Sequence, residues 1–189
     1  MTTPGIRHLT SALRTLALCG AIVAPSVAHG ERAPVAAVNP FVWASVFRMI
    51  AERWPSVEQL PTAELARRLE AHEPVLLIDT RAEKEYLVSH LPGAVWAESP
   101  EQLRAAVRDV PPTQLIVLYC SVGVRSSSAA AMLMREGGHT VANLRGSIFQ
   151  WANEGRALES DGRPATSVHP YNRFWARLLE PRLRATAAP

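Results

Sequence analysis

Residues 115–134 read LIVLYCSVGVRSSSAAAMLM. The first five are an apolar run of strand length, as expected for a strand buried on both faces. The run stops at Cys120. Ser121-Val122-Gly123-Val124-Arg125 must then turn tightly, and Gly123 supplies the backbone freedom. Ser126 to Glu136 reads as a helix, and Gly137-Gly138 ends it with residues that tolerate a left-handed conformation. A buried strand, a short loop and a helix in that order is half of a βαβ unit.

The same grammar recurs on both sides. Val75 to Ile78 is a second buried run, ending in Asp79-Thr80-Arg81. A short helix follows over Ala82 to Val88, then a turn at Leu91-Pro92-Gly93 and a strand from Ala94 to Trp96. Pro100 starts a helix that runs to about Arg108. Thr140 to Leu144 is another strand, and Gly146 turns into a helix over Ser147 to Asn153 that Gly155 closes. Upstream, Ser56 to Leu60 fits a short edge strand. Thr62 is placed to cap a helix with Leu65 and Leu69 on one face, stopped by Pro74. Strands alternating with helices at this spacing predict an α/β domain over residues 56–165. Its sheet is central and mostly parallel, with helices on both faces.

Two extensions flank this unit. Residues 29–55 read as a linker and an apolar amphipathic helix that begins at Asn39-Pro40. Residues 166–189 read as a C-terminal helical extension and tail, with an amphipathic helix over Tyr171 to Leu179. Each aromatic helix has two readings: it packs on the main domain, or it docks on a protein partner or a membrane surface. The thin polar face of residues 40–54, without lysine, favours packing.

Residues 1–28 carry Arg7, His8 and Arg14, then a short apolar run from Leu16 to Ala24, then Ser26-Val27-Ala28. That order is an export signal, and it predicts a protein of the bacterial periplasm. The run falls short of the ~20 residues that span a bilayer, although an uncleaved leader acting as a membrane anchor is the alternative. Leu18 is too bulky before Cys19 for a lipoprotein signal. Cleavage would leave Cys120 as the one cysteine, unable to form an internal disulfide. It is then either an inert small hydrophobe or a reactive thiol.

The chain of 189 residues is 48% hydrophobic and 20% charged, which suits a real core and excludes a disordered segment. Its net charge of +3 does not imply a nucleic-acid partner. The arginines are scattered, Lys84 is the one lysine, and no basic stretch alternates with aromatics. Cleavage of the leader would also remove two arginines and no carboxylate.

The chemistry gathers at Cys120. In an open parallel sheet, ligands bind beyond the carboxyl ends of the strands. A tight loop there, at a helix N-terminus, turns its amides inward as an anion cradle. The thiolate of Cys120 is the anion best placed for it, so its pKa is expected below the free value of ~8.5. Arg125 either adds charge at the rim or forms a structural ion pair with Glu83 or Glu85.

CSVGVRS at 120–126 resembles the active-site loop of the rhodanese family. LLIDTRAEKEYLVSHLPGA at 76–94 resembles that family's second signature, and SIFQWANEGRAL at 147–158 its last helix. The resemblance covers roughly residues 56–160. It implies a single-domain sulfurtransferase with Cys120 as the catalytic residue, carrying sulfane sulfur as a persulfide. Ser121, Val122, Gly123, Val124, Arg125 and Ser126 would bind the substrate, and Asp79 and Arg81 would brace the loop. The donor would be thiosulfate or a persulfide and the acceptor a thiol or cyanide, with no cofactor. The alternative is a rhodanese-like module without catalysis that binds a partner or membrane through its aromatic helices.

Four residues separate Cys120 from Arg125. Related phosphatases and arsenate reductases need five, so the loop matches the sulfur-handling form. Two departures stand out. Ser121 replaces a basic residue common in thiosulfate users, and Val124 is apolar where the family is often polar. His90 belongs to a turn, with a stabilising role expected. His139 and His169 lack partners at metal-ligand spacing, so no metal is expected.

Overall fold

Val75, Leu76, Leu77 and Ile78 pair in register with Leu115 to Leu118, side by side and parallel. These two apolar runs are the centre of a five-stranded sheet. The computed structural model describes residues 40–186. The expected leader, the linker up to residue 39 and the Asn39 cap lie outside the described residues.

The strands are β1 (Glu58–Leu60), β2 (Val75–Asp79), β3 (Val95–Trp96), β4 (Leu115–Tyr119) and β5 (Thr140–Leu144), in the order β1-β5-β4-β2-β3 and all parallel. The helices are α1 (Pro40–Arg53), α2 (Thr62–Glu70), α3 (Glu83–Val88), α4 (Pro100–Val107), α5 (Val124–Glu136) and α6 (Ser147–Asn153). Side chains of β4 alternate as a strand requires. Ile116 and Leu118 face a core with α4 and α5, while Val117 and Tyr119 face a larger core with α1, α2 and α6. The sheet is therefore covered on both faces, as the continuous apolar runs demand.

From β2 the chain steps outward to β3, returns over β2 to β4, and then steps the other way to β5. Connections diverge between β2 and β4, which is where an open α/β sheet leaves a crevice. The Thr80 amide and hydroxyl both donate to the Tyr119 carbonyl, at 2.9 and 3.0 Å, and tie the two strand ends together.

Several local expectations change. α2 begins at Thr62, but Thr62 does not cap it: Pro61 holds the cap position and the Thr62 hydroxyl donates to Glu154 Oε1 at 2.7 Å. A hairpin, β6 (Leu158–Ser160) with β7 (Arg163–Ala165), follows α6. The expected helix over 171–179 is not formed. Only Trp175–Leu178 makes a short 3-10 turn. The reason is local: Tyr171 has φ +62°, and Asn172 Oδ1 accepts from the amides of Phe174 and Trp175, both at 3.0 Å. That Asx-type geometry competes with helix propagation.

Both extensions pack on the domain. α1 buries Val46 and Ile50, and the C-terminal segment buries Val168, Leu178, Leu179 and Leu183 in the same core. Val168 and Leu183 are also joined through backbone, the Val168 amide donating at 2.7 Å. No helix of the described residues is long and apolar enough to cross a membrane.

Candidate active site

Cys120 follows the last residue of β4, and its side chain is buried, with 1% of the residue exposed. What holds it there is the loop's own backbone. The Cys120 and Ser121 carbonyls accept from the amides of Ile148 and Phe149, at 3.2 and 3.1 Å, in the first turn of α6. The Cys120 amide donates to Ser147 Oγ at 3.2 Å, and that hydroxyl donates to the Leu144 carbonyl at 3.1 Å. With its carbonyls drawn to α6, the loop turns amides toward the sulfur. Gly123 N–H donates to Cys120 Sγ at 3.2 Å.

Gly123 has φ +109°, and a Cβ there would sit 3.2 Å from both Asn143 Nδ2 and Ile50 Cδ1. The position requires glycine on conformation and on space. Ser126, in the first turn of α5, is fully buried, and its hydroxyl lies 2.5 Å from Asn143 Oδ1. That hydroxyl has a single proton, so it serves either Asn143 or the sulfur. Burial pushes the Cys120 thiol up. The Arg125 charge, the Ser126 hydroxyl and amide and the Gly123 amide outweigh it, and the thiol lies below its ordinary value. The amides of Gly123 and Ser126 thus face the sulfur, and the local electrostatics favour a thiolate.

Arg125 takes both of its expected roles. Nη1 donates to Glu85 Oε2 at 2.7 Å, while Nη2 donates to Glu85 Oε1 and to Ser121 Oγ, both at 2.9 Å. Ser121 Oγ in turn donates to Glu85 Oε1 at 3.0 Å. The Ala82 amide also donates to Glu85, at 3.1 Å. Burial pushes the Glu85 carboxyl up, but the Arg125 partner and the Ala82 amide hold it below the usual carboxylate range. Ser121 thus bridges Glu85 and Arg125.

Asp79 and Arg81 do not brace the cysteine loop directly. Arg81 donates to both Asp79 oxygens, Nε at 2.9 Å and Nη2 at 2.7 Å, and Nη2 also reaches the Ser89 carbonyl. The pair is sealed, with both side chains 0% exposed. Through the Ser89 carbonyl it ties together the two ends of residues 79–89, the segment that carries Glu85, as a buried charge needs partners. His90 stacks on Tyr86 with ring centroids 3.9 Å apart, and its ring nitrogen lies 3.1 Å from the Tyr86 carbonyl, a turn role.

A cavity of about 100 Å³ opens at the sulfur. The loop supplies one wall through Cys120, Ser121, Val122, Val124 and Arg125. The other wall is Tyr171 and Trp175 of the C-terminal segment. The Arg125 guanidinium lies 4.6 Å from the centre of the Tyr171 ring. Sequence reasoning missed Ser147, Tyr171 and Trp175 as site residues, and it held Glu85 only as one of two partners for Arg125. Nothing local marks Ser147. The two rings carried a signal as an aromatic cluster, but one read as an extension outside the domain.

A rhodanese-like domain matches residues 61–154. A sulfurtransferase of Allochromatium vinosum is 36% identical over 100 residues, covering 52% of this chain and 92% of that protein. A tRNA uridine(34) hydroxylase of Prochlorococcus marinus is 30% identical over 120 residues, covering 53% of this chain and 38% of that protein. Among solved structures, a thiosulfate sulfurtransferase from Pseudomonas aeruginosa superposes with a TM-score of 0.55 at 23% identity. The match covers 72% of this chain and 26% of that one, a likeness of fold.

Proposed function

The chain belongs to the rhodanese family, and we propose that it is a sulfurtransferase in which Cys120 carries the sulfur as a persulfide. The observation that carries this reading is the Gly123 amide 3.2 Å from Cys120 Sγ, in a loop whose carbonyls are drawn away to α6. Such a cradle stabilises an anion at the cysteine sulfur before, during and after transfer.

The thiolate attacks the outer sulfur of thiosulfate or of a persulfide. A Cys120 Sγ–S bond forms, and the donor's S–S bond breaks with its electron pair leaving on sulfite or on the donor thiolate. The enzyme now holds Cys–S–S⁻, whose terminal charge replaces the one spent in the attack. A thiolate or cyanide then attacks the terminal sulfur. The new persulfide or thiocyanate leaves, and the Cys120 thiolate is restored. No oxidant, reductant or proton is consumed between anions. The basic start and short apolar run of residues 1–28 support export, so that this chemistry would take place in the periplasm.

Intact-protein mass spectrometry after mixing with thiosulfate, and separately with glutathione persulfide, tests the reading. A gain of one sulfur atom, reversed by cyanide and absent from Cys120→Ser, is the expected result. Folded protein that gains no sulfur from either donor would overturn it. The same spectrum reports whether residues 1–28 are removed.

A further inference from the structure

The wall of the cavity that faces Cys120 is not made by the sheet and helices that hold the cysteine. Tyr171 and Trp175 make it, from an irregular segment after the β6–β7 hairpin. That segment is clamped at both ends. Upstream, Val168 is fully buried and bonded through backbone to Leu183 and Ala185. Downstream, Asn153 of α6 donates to the Leu178 carbonyl at 2.8 Å and accepts from the Glu180 amide at 3.0 Å.

Between the clamps the backbone takes an unfavourable turn. Tyr171 has φ +62°, a conformation that bulky residues rarely adopt. Its amide donates to His169 Nδ1 at 3.0 Å, and Asn172 secures the next turn. Tyr171 as a residue is 45% exposed, so burial does not account for the turn. What the turn achieves is placement of the ring over Arg125 and against the mouth of the cavity. Such strain, where it places a ring at a site wall, is grounds for a functional hypothesis.

The recess at the sulfur is open at its mouth but small. About 100 Å³ holds roughly three waters at ~30 Å³ each. Drug-sized ligands occupy pockets of ~300 Å³ or more. Glu85 pairs with the Arg125 charge at the wall, and that charge draws thiosulfate and persulfide anions alike, so the size of the recess is what can separate one anionic donor from another.

We propose that Tyr171 and Trp175 form an aromatic cover that restricts the sulfur donor at Cys120 to small inorganic species with a terminal sulfane sulfur, and excludes peptidyl persulfides such as glutathione persulfide. The inference rests on the sulfurtransferase reading of the same site. Thiosulfate and inorganic polysulfide share the required chemistry. Either transfers its outer sulfur to the thiolate and leaves as sulfite, or as a polysulfide dianion one sulfur shorter, with charge conserved.

The test compares rates of Cys120 persulfide formation from thiosulfate, inorganic polysulfide and glutathione persulfide in the full chain and in Tyr171→Gly. Glycine removes the ring and relieves the positive φ, so this variant keeps its fold. Trp175→Leu, which retains an apolar filler, is the second variant. Wild type is expected to favour at least one small donor over glutathione persulfide by about tenfold or more, and Tyr171→Gly to narrow that ratio by a similar factor. The small donor that wins identifies the source. Equal wild-type rates for glutathione persulfide and the small donors overturn the proposal. So does a ratio unmoved in both folded variants, or an equal fall for every donor. Absence of sulfur transfer from any donor to any form removes the sulfurtransferase reading itself, an outcome distinct from an unchanged ratio.

Discussion

Two carboxylate–guanidinium pairs stand beside the same crevice, and they are built alike. Asp79–Arg81 closes at 2.7 Å and Glu85–Arg125 at 2.7 Å. Their surroundings differ. The first pair is sealed, both side chains 0% exposed, and its bonds run to itself and to the Ser89 carbonyl. The second has a buried carboxylate and a guanidinium that is 33% exposed at the cavity wall, in contact with Ser121 and Tyr171. Distance is the same, so it does not distinguish structure from function. Access does: the sealed charge holds the chain, and the open one acts on whatever enters.

Breaking the sealed pair should produce the largest change. Arg81→Ala leaves Asp79 buried without its ionic partner, at an expected cost of about 3–5 kcal/mol. Denaturant unfolding would measure it. Any variant of this pair mild enough to fold, such as Asp79→Asn, should leave the pH profile of Cys120 alkylation in place. A profile that moved with Asp79→Asn would erase the distinction between the pairs.

Glu85→Gln comes next. It removes a buried acceptor of three partners, for about 1–3 kcal/mol at neutral pH. Its pH signature is specific. The folded carboxyl lies below its ordinary value. The stability it contributes is therefore present above the unfolded pKa and is lost as pH falls through the folded one. Wild type should lose stability progressively below the ordinary carboxylate range, and the glutamine variant should lose less over that window. Parallel urea midpoints for the two proteins across the acid range would show that Glu85 carries no such linkage.

Arg125→Gln probes the open pair from its cationic side. The Arg125 charge helps hold the Cys120 thiol low. Without it the thiolate forms only at higher pH. Alkylation by iodoacetamide at neutral pH should slow several-fold and recover as pH rises. A slower rate that did not recover would mean the loop had moved rather than the charge.

How much of this was legible in the sequence follows the same division. The buried runs at 75–78 and 115–119, the thiol at a strand end and the tight loop are local patterns, and local patterns survive folding. Arg125 was readable as a partner of Glu83 or Glu85. The choice between them needed the fold, because both lie in one turn of α3 and only Glu85 faces the loop. The β6–β7 hairpin had a signal that went unused, Asp161-Gly162 between two short runs. The C-terminal segment misled. Its apolar spacing reads as a helix, yet Asn172 and the turn at Tyr171 stop one, and the clamps at Asn153 and Val168 come from distant parts of the chain. Cover over a site is a tertiary property with no local period.

The smallest effect completes the comparison from outside the crevice. Glu64 and Arg67 on α2 pair at 2.9 Å, close to the distance of the two inner pairs. The hydrogen bond from Arg67, with its charge and that of Arg68, holds the Glu64 carboxyl at about 2. Yet Arg67 is 57% exposed and Glu64 31% exposed. Water and salt screen such a pair, and two flexible side chains lose entropy to hold it. Glu64→Gln should therefore shift the urea midpoint little, and a small shift seen at low salt should vanish at high salt. If this variant proved as damaging as Glu85→Gln, and equally so at high salt, access would not be what ranks the three pairs.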